Sequence, residues 1–125
     1  MSEQKILIDE TDDTPKVEAY CGNENKISIK GVSMPENTLE FYEPLKEEII
    51  QKINFQLPTI FIVELSYMNS MSNVQIIKLI DLFKQKCNDL KVIWRYEKTD
   101  DLMKIKGEEI MMVLKNVDLK LDEIN

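Results

Sequence analysis

The sequence predicts a small α/β domain: one mixed β-sheet with antiparallel edges, packed by about three helices. Three observations predict it. Short segments of strand character near the start give way to an alternation of strand and helix patterns. Ile60-Phe61-Ile62-Val63 is continuously apolar and rich in β-branched residues, as in a central strand covered on both faces. The 125 residues are 43% hydrophobic, enough for one core, and no repeat or Pro/Gly/Ser-rich linker divides them. Residues 1–125 are therefore expected to form a single domain.

The elements follow in order. Lys5–Ile8 and Val17–Tyr20 have brief strand character. Lys26–Lys30 alternates strictly, with Ile27 and Ile29 on one face, between Gly22-Asn23 and Gly31. Leu39, Tyr42, Leu45, Ile49, Ile50 and Ile53 recur at helical spacing, and Asn37 with Glu40 fits an N-cap and its capping-box partner. Pro44 lacks an N–H and crowds the carbonyl of Glu40, which predicts a kink there or a later helix start. Thr59–Leu65 is the best strand, and Ser66–Ser72 reads as a polar loop after it. A second helix is expected from Asn73 to Asn88, its wide apolar surface running from Val74 to Cys87. Lys91–Tyr96 is the next strand, joined to Thr59–Leu65 by a right-handed parallel crossover. Asp100 and Asp101 open a third helical stretch that reaches Lys115, with an interruption at Gly107. Val117–Leu121 alternates and is an edge strand or an extended tail.

Composition removes several functions. There is no histidine, so Ser-His-Asp and Cys-His catalysis and histidine metal ligands are absent. Three scattered glycines make neither a dinucleotide fingerprint nor a P-loop. A net charge of −7 argues against nucleic acid, whose binders need a basic stripe. The longest unbroken apolar run, Ile110 to Leu114, is far short of a membrane span. The acidic N-terminus is not a secretory signal, and Cys21 and Cys87 have no CxxC partner and read as reduced thiols. A cytoplasmic interaction protein without a cofactor is expected rather than an enzyme. The acidic groups Asp9/Glu10/Asp12/Asp13 and Glu97/Asp100/Asp101 lack EF-hand spacing and read as solvated surface, not a metal site.

The segment Ser66–Ser72 holds the candidate site. It lies between the C-terminal end of the central strand and the start of a buried helix, where free N–H groups and the helix dipole favour an anion. Ser66, Ser70 and Ser72 are its hydroxyls. Ser72 with Gln75 has capping-box spacing, which gives Ser72 a structural role; Ser70 has less obvious structural employment. Met68 and Met71 flank Ser70, and flexible methionines suit adaptable interfaces. Tyr42 and Trp94 follow core periodicity.

Several motifs then occur in a fixed order. They are Thr11-x-x-Thr14-Pro15-x-Val17, Gly31-x-Ser33-x-Pro35-Glu36-Asn37, Glu40-Phe41-Tyr42-x-Pro44-Leu45 and Leu65-x-Tyr67-x-Asn69-Ser70. Trp94-x-Tyr96-Glu97, Asp100-Asp101-x-Met103 and Gly107-Glu108-Glu109 follow. In these the sequence resembles the SiaC family of bacterial regulatory phosphoproteins, which is similar in style to the STAS anti-sigma-factor antagonists. The resemblance implies a STAS-like partner-switching module that is not an enzyme. A protein kinase phosphorylates such a module and a PP2C-type phosphatase reverses it. The unphosphorylated form activates a diguanylate cyclase, in cyclic-di-GMP signalling. It also places the phosphoacceptor at Ser70, with Ser72 as the alternative, and partner contacts at Tyr67, Met68, Asn69 and Met71. The family's threonine is serine here, the serine after it is Met71, and the aromatic before Asn69 is Met68. A constitutive binding module of the same fold is the competing expectation.

Overall fold

The computed structural model describes residues 2–125, and among these six strands form one sheet in the order β1-β2-β3-β4-β5-β6. Strands β1 (Glu3–Ile8), β2 (Lys16–Cys21) and β3 (Asn25–Ser33) make an antiparallel meander. Strands β4 (Thr59–Met68), β5 (Leu90–Glu97) and β6 (Asp118–Ile124) then add one by one, each parallel to its predecessor. The connections are helices α1 (Thr38–Lys52), α2 (Ser70–Lys86) and α3 (Asp101–Val113). A sheet that grows in one direction through right-handed crossovers stacks every helix on the same face. The burial pattern agrees: Val17, Ile27, Ile29, Phe61, Val63, Val92 and Trp94 are buried, while the alternate positions Lys26, Lys30, Lys91 and Glu97 are exposed.

The α/β class and element order match the sequence reading, with instructive differences. Antiparallel pairing is confined to the β1 side; the other edge, β6, is a parallel strand and not an extended tail. Strand β4 is central but carries helices on one face only. Ile62, on the open face, is nonetheless buried because Ser28 and Ile93 flank it across the ladders. The apolar run in β4 thus reflects shielding by neighbouring strands as well as helix packing.

Helix α1 starts at Thr38, ahead of Pro44, so the later start is excluded. Its Asn37 cap forms as expected, Oδ1 accepting from the Glu40 N–H at 3.3 Å. Helix α3 runs through Gly107 without interruption. There a Cβ atom would lie 2.6 Å from the Trp94 ring and 2.7 Å from Leu121, so the glycine lets the helix approach the sheet. The same approach lets the Trp94 indole N–H donate to the Met103 carbonyl at 2.9 Å. Trp94 and Tyr42 are core residues, as their spacing indicated. Cys87 is buried and Cys21, at the end of β2, is half-buried; both are free thiols, as expected.

Candidate functional site at the start of α2

The predicted loop 66–72 is almost entirely regular structure. β4 continues to Met68 because Tyr67 and Met68 pair with Val32 and Ser33 of β3 after a register shift at Gly31. That shift coincides with the left-handed conformation of Gly31, φ +116°, which a side chain would strain. Only Asn69 then separates β4 from α2.

Asn69 is the cap. Its Oδ1 accepts from the Ser72 N–H at 2.8 Å, and its own N–H donates to the Ser33 carbonyl at 3.0 Å. The helix therefore begins at Ser70, and the capping role that Ser72 was expected to fill belongs to Asn69. Ser72, two residues on in the same turn, is buried, as is Gln75. Its hydroxyl accepts from Ser33 Oγ at 2.9 Å, and Ser33 Oγ is also bonded to the Tyr42 hydroxyl. Because Ser33 has one proton and gives it to Ser72, Tyr42 donates to Ser33. Burial pushes the Tyr42 hydroxyl above its ordinary pKa, against the lowering effect of the nearby Ser33 and Ser72 hydroxyls, which keeps that donor protonated.

Ser70 is different. It is the exposed first residue of α2, beside backbone N–H groups that have no intrahelical acceptor. The first turn, Ser70-Met71-Ser72-Asn73, holds no acid, whereas α1 has Glu40 and α3 has Asp101 in theirs. The positive end of the α2 dipole is therefore left without a compensating carboxylate.

The four expected partner-contact residues divide. Tyr67 and Met71 are about half exposed and stand on either side of Asn69-Ser70. Asn69 is half-buried and occupied as the cap. Met68 is 5% exposed and belongs to the core cluster, so it supports the site from beneath and offers a partner no surface. Sequence reasoning missed Ser33, which lies 39 residues from Ser72 and has no local pattern that announces the bond.

The remaining sequence candidates lie elsewhere. Asp13 accepts from the Thr11 hydroxyl in the β1–β2 connection, and Asp100 caps α3 through Oδ1 to the Met103 N–H. Among the described residues, no three His, Cys, Asp or Glu side chains are grouped to hold a metal ion. No helix among them is long and apolar enough to cross a membrane. A surface hollow lined by Tyr20, Asn23, Glu24, Lys26 and Pro58 is at the opposite end of β3 from Ser70.

Residues 8–124 match the family described as SiaC family regulatory phosphoprotein. The chain belongs to the SiaC family. No curated protein matches it by sequence. Solved structures share the fold of this SiaC-family chain at low identity. One is a chain in the crystal structure of the diguanylate cyclase SiaD in complex with its activator SiaC from Pseudomonas aeruginosa. It is 19% identical with a TM-score of 0.74, over 94% of this chain and 97% of the other. A second is the crystal structure of apo-SiaC from Pseudomonas aeruginosa, 17% identical with a TM-score of 0.68, over 98% and 99%. A third, SiaC of Pseudomonas aeruginosa, is 19% identical with a TM-score of 0.69, over 98% and 97%.

Proposed function

We propose that this protein is a non-enzymatic switch whose unphosphorylated form binds and activates a diguanylate cyclase, and whose Ser70 is the hydroxyl that turns it off. A partner kinase transfers the γ-phosphoryl group of ATP to Ser70 Oγ, releasing ADP and the hydroxyl proton. A PP2C-type phosphatase hydrolyses the ester and restores the hydroxyl.

The observation that carries this reading is the contrast between two serines of one helical turn. Ser70 is exposed at the first position of α2, while Ser72 is buried and bonded to Ser33. A kinase reaches the first without disturbing the fold. Family membership supports the phosphoprotein role, and the cyclase partner is that of the structurally similar SiaC.

The physics of the switch is local. Phosphorylation adds roughly −1.5 to −2 charges at Ser70. The free amides and dipole at the α2 start stabilise that charge by about 0.3–1 kcal/mol, so the phosphoprotein stays folded. The change falls on the docking surface instead, where the group stands between the exposed side chains of Tyr67 and Met71. A partner surface shaped for those side chains then meets a hydrated dianion.

Titration calorimetry of the cognate cyclase with untreated and kinase-treated protein tests the reading. Binding at least about tenfold weaker after phosphorylation, near 1.4 kcal/mol, is expected. Equal affinities would leave only a constitutive binding module.

A further inference from the structure

Helix α3 has a surface that the Ser70 switch does not use. It holds five of the twelve exposed large apolar side chains among the described residues: Leu102, Ile105, Met111, Met112 and Val113. Met103, Gly107 and Ile110 face the sheet and are buried. On the outer side, Leu102 at 56%, Ile105 at 48% and Met112 at 71% exposure recur at helical spacing and form a stripe with no covering element.

Charge says what covers it. Along α3 and just beyond, the signs alternate in blocks: Asp100 and Asp101, then Lys104 and Lys106, then Glu108 and Glu109, then Lys115. At 100° per residue, Lys104 and Glu108 fall on one flank of the stripe and Lys106 on the other, while Glu109 stands on the stripe itself, between Leu102 and Ile105. Among the described residues, none of these four is in an ion pair within the chain. Reversing the helix reverses the order of signs, so an antiparallel copy of α3 meets every block with its opposite. A parallel copy meets like with like. Antiparallel packing also brings the same flank of each helix together, which sets Lys104 opposite Glu108 of the second copy, and on the other side puts Lys106 within reach of Glu109 on the second copy's stripe.

We propose that α3 is a homodimer contact, with two copies of this chain packing their α3 helices antiparallel about a twofold axis. Leu102 lies against Met112 of the second copy, and Ile105 lies near the axis. A twofold interface is self-complementary, so each contact occurs twice. The contact is independent of Ser70, and either can fail without the other.

Light scattering of the full chain over a dilution series tests it. The expected mass is twice the 14.7 kDa of one chain at high concentration, falling on dilution. Ile105→Glu, at an exposed position, gives a monomer with an unchanged circular dichroism spectrum. The double variants K104E/K106E and E108K/E109K are each monomeric alone, and their equimolar mixture recovers the dimer mass. A wild-type chain that stays monomeric throughout overturns the proposal, and it does so equally if Ile105→Glu proves instead to weaken cyclase binding. A dimer that survives Ile105→Glu and both charge variants, or a mixture that fails to recover, overturns it too.

Discussion

The two ends of β3 are anchored alike and do opposite electrostatic work. At its first residue, Asn25 is buried and its Nδ2 donates to the Asn54 carbonyl at 2.8 Å and to Thr59 Oγ1 at 3.0 Å. Thr59 passes its own proton to the Leu57 carbonyl, and the buried Cys87 thiol lies 3.5 Å from Thr59 Oγ1. At its last residue, Ser33 joins Tyr42 and Ser72. Each cluster ties β3 to the elements arriving at that end of the sheet. The difference is which helix termini arrive. Beside Asn25 the chain leaves α1 and α2, so helix carbonyls gather there and anions are disfavoured. Beside Ser33 those helices begin, so free N–H groups gather and an anion is welcome. One strand thus has a closed end and an addressable end, and the addressable end is where Ser70 stands.

Three substitutions break that comparison in decreasing order of effect. Asn25→Ala removes two buried hydrogen bonds and opens a small void; it is expected to cost about 3 kcal/mol in urea unfolding while leaving Ser70 phosphorylation unchanged. Ser33→Ala strands the Tyr42 and Ser72 hydroxyls together and should cost about 2 kcal/mol. It loosens the first turn of α2, so it also alters the phosphorylation rate, which Asn25→Ala does not. If both variants change the rate equally, the two ends are not distinct.

Tyr42→Phe is the mildest, about 1 kcal/mol, because it removes only the donor at the end of the chain of hydroxyls. It also has a pH signature. The folded-state pKa of Tyr42 is raised, chiefly by burial, so the unfolded tyrosine ionises first and the unfolded state binds fewer protons. Stability from this group is complete below the ordinary tyrosine value of about 10 and is lost as pH rises through the folded value. Unfolding free energies measured across that alkaline window should fall less steeply for Tyr42→Phe than for wild type. Identical slopes would mean that Tyr42 is not held protonated.

Much of the fold was legible because it rests on local pattern. Alternation located Ile27 and Ile29 on the inner face of β3, and the i, i+3, i+4 recurrence located Tyr42, Leu45 and Ile49 on the buried face of α1. What escaped depends on contacts between distant residues. The polar sequence from Ser66 to Ser72 reads as a loop until β3 is placed beside it, when Val32 and Ser33 extend β4 to Met68. That extension buries Met68 and moves the cap to Asn69. Gly107 reads as a helix breaker until Trp94 and Leu121 are seen against it. At the candidate site, the exposure of Ser70 and the burial of Ser72 were not separable by composition, since both are serines in one polar run. Their separation comes from the helix starting at Ser70, which turns Ser72 inward toward Ser33.

Ser70→Ala is expected to change stability by no more than about 0.5 kcal/mol, so it probes chemistry cleanly. The most direct measurement is intact-mass and peptide-mapping mass spectrometry of wild type, Ser70→Ala and Ser72→Ala after incubation with the cognate kinase and ATP. The account predicts one added phosphate on wild type and on Ser72→Ala, mapped to Ser70, and none on Ser70→Ala. A phosphate retained by Ser70→Ala, or mapped to Ser72 in the wild type, would contradict it.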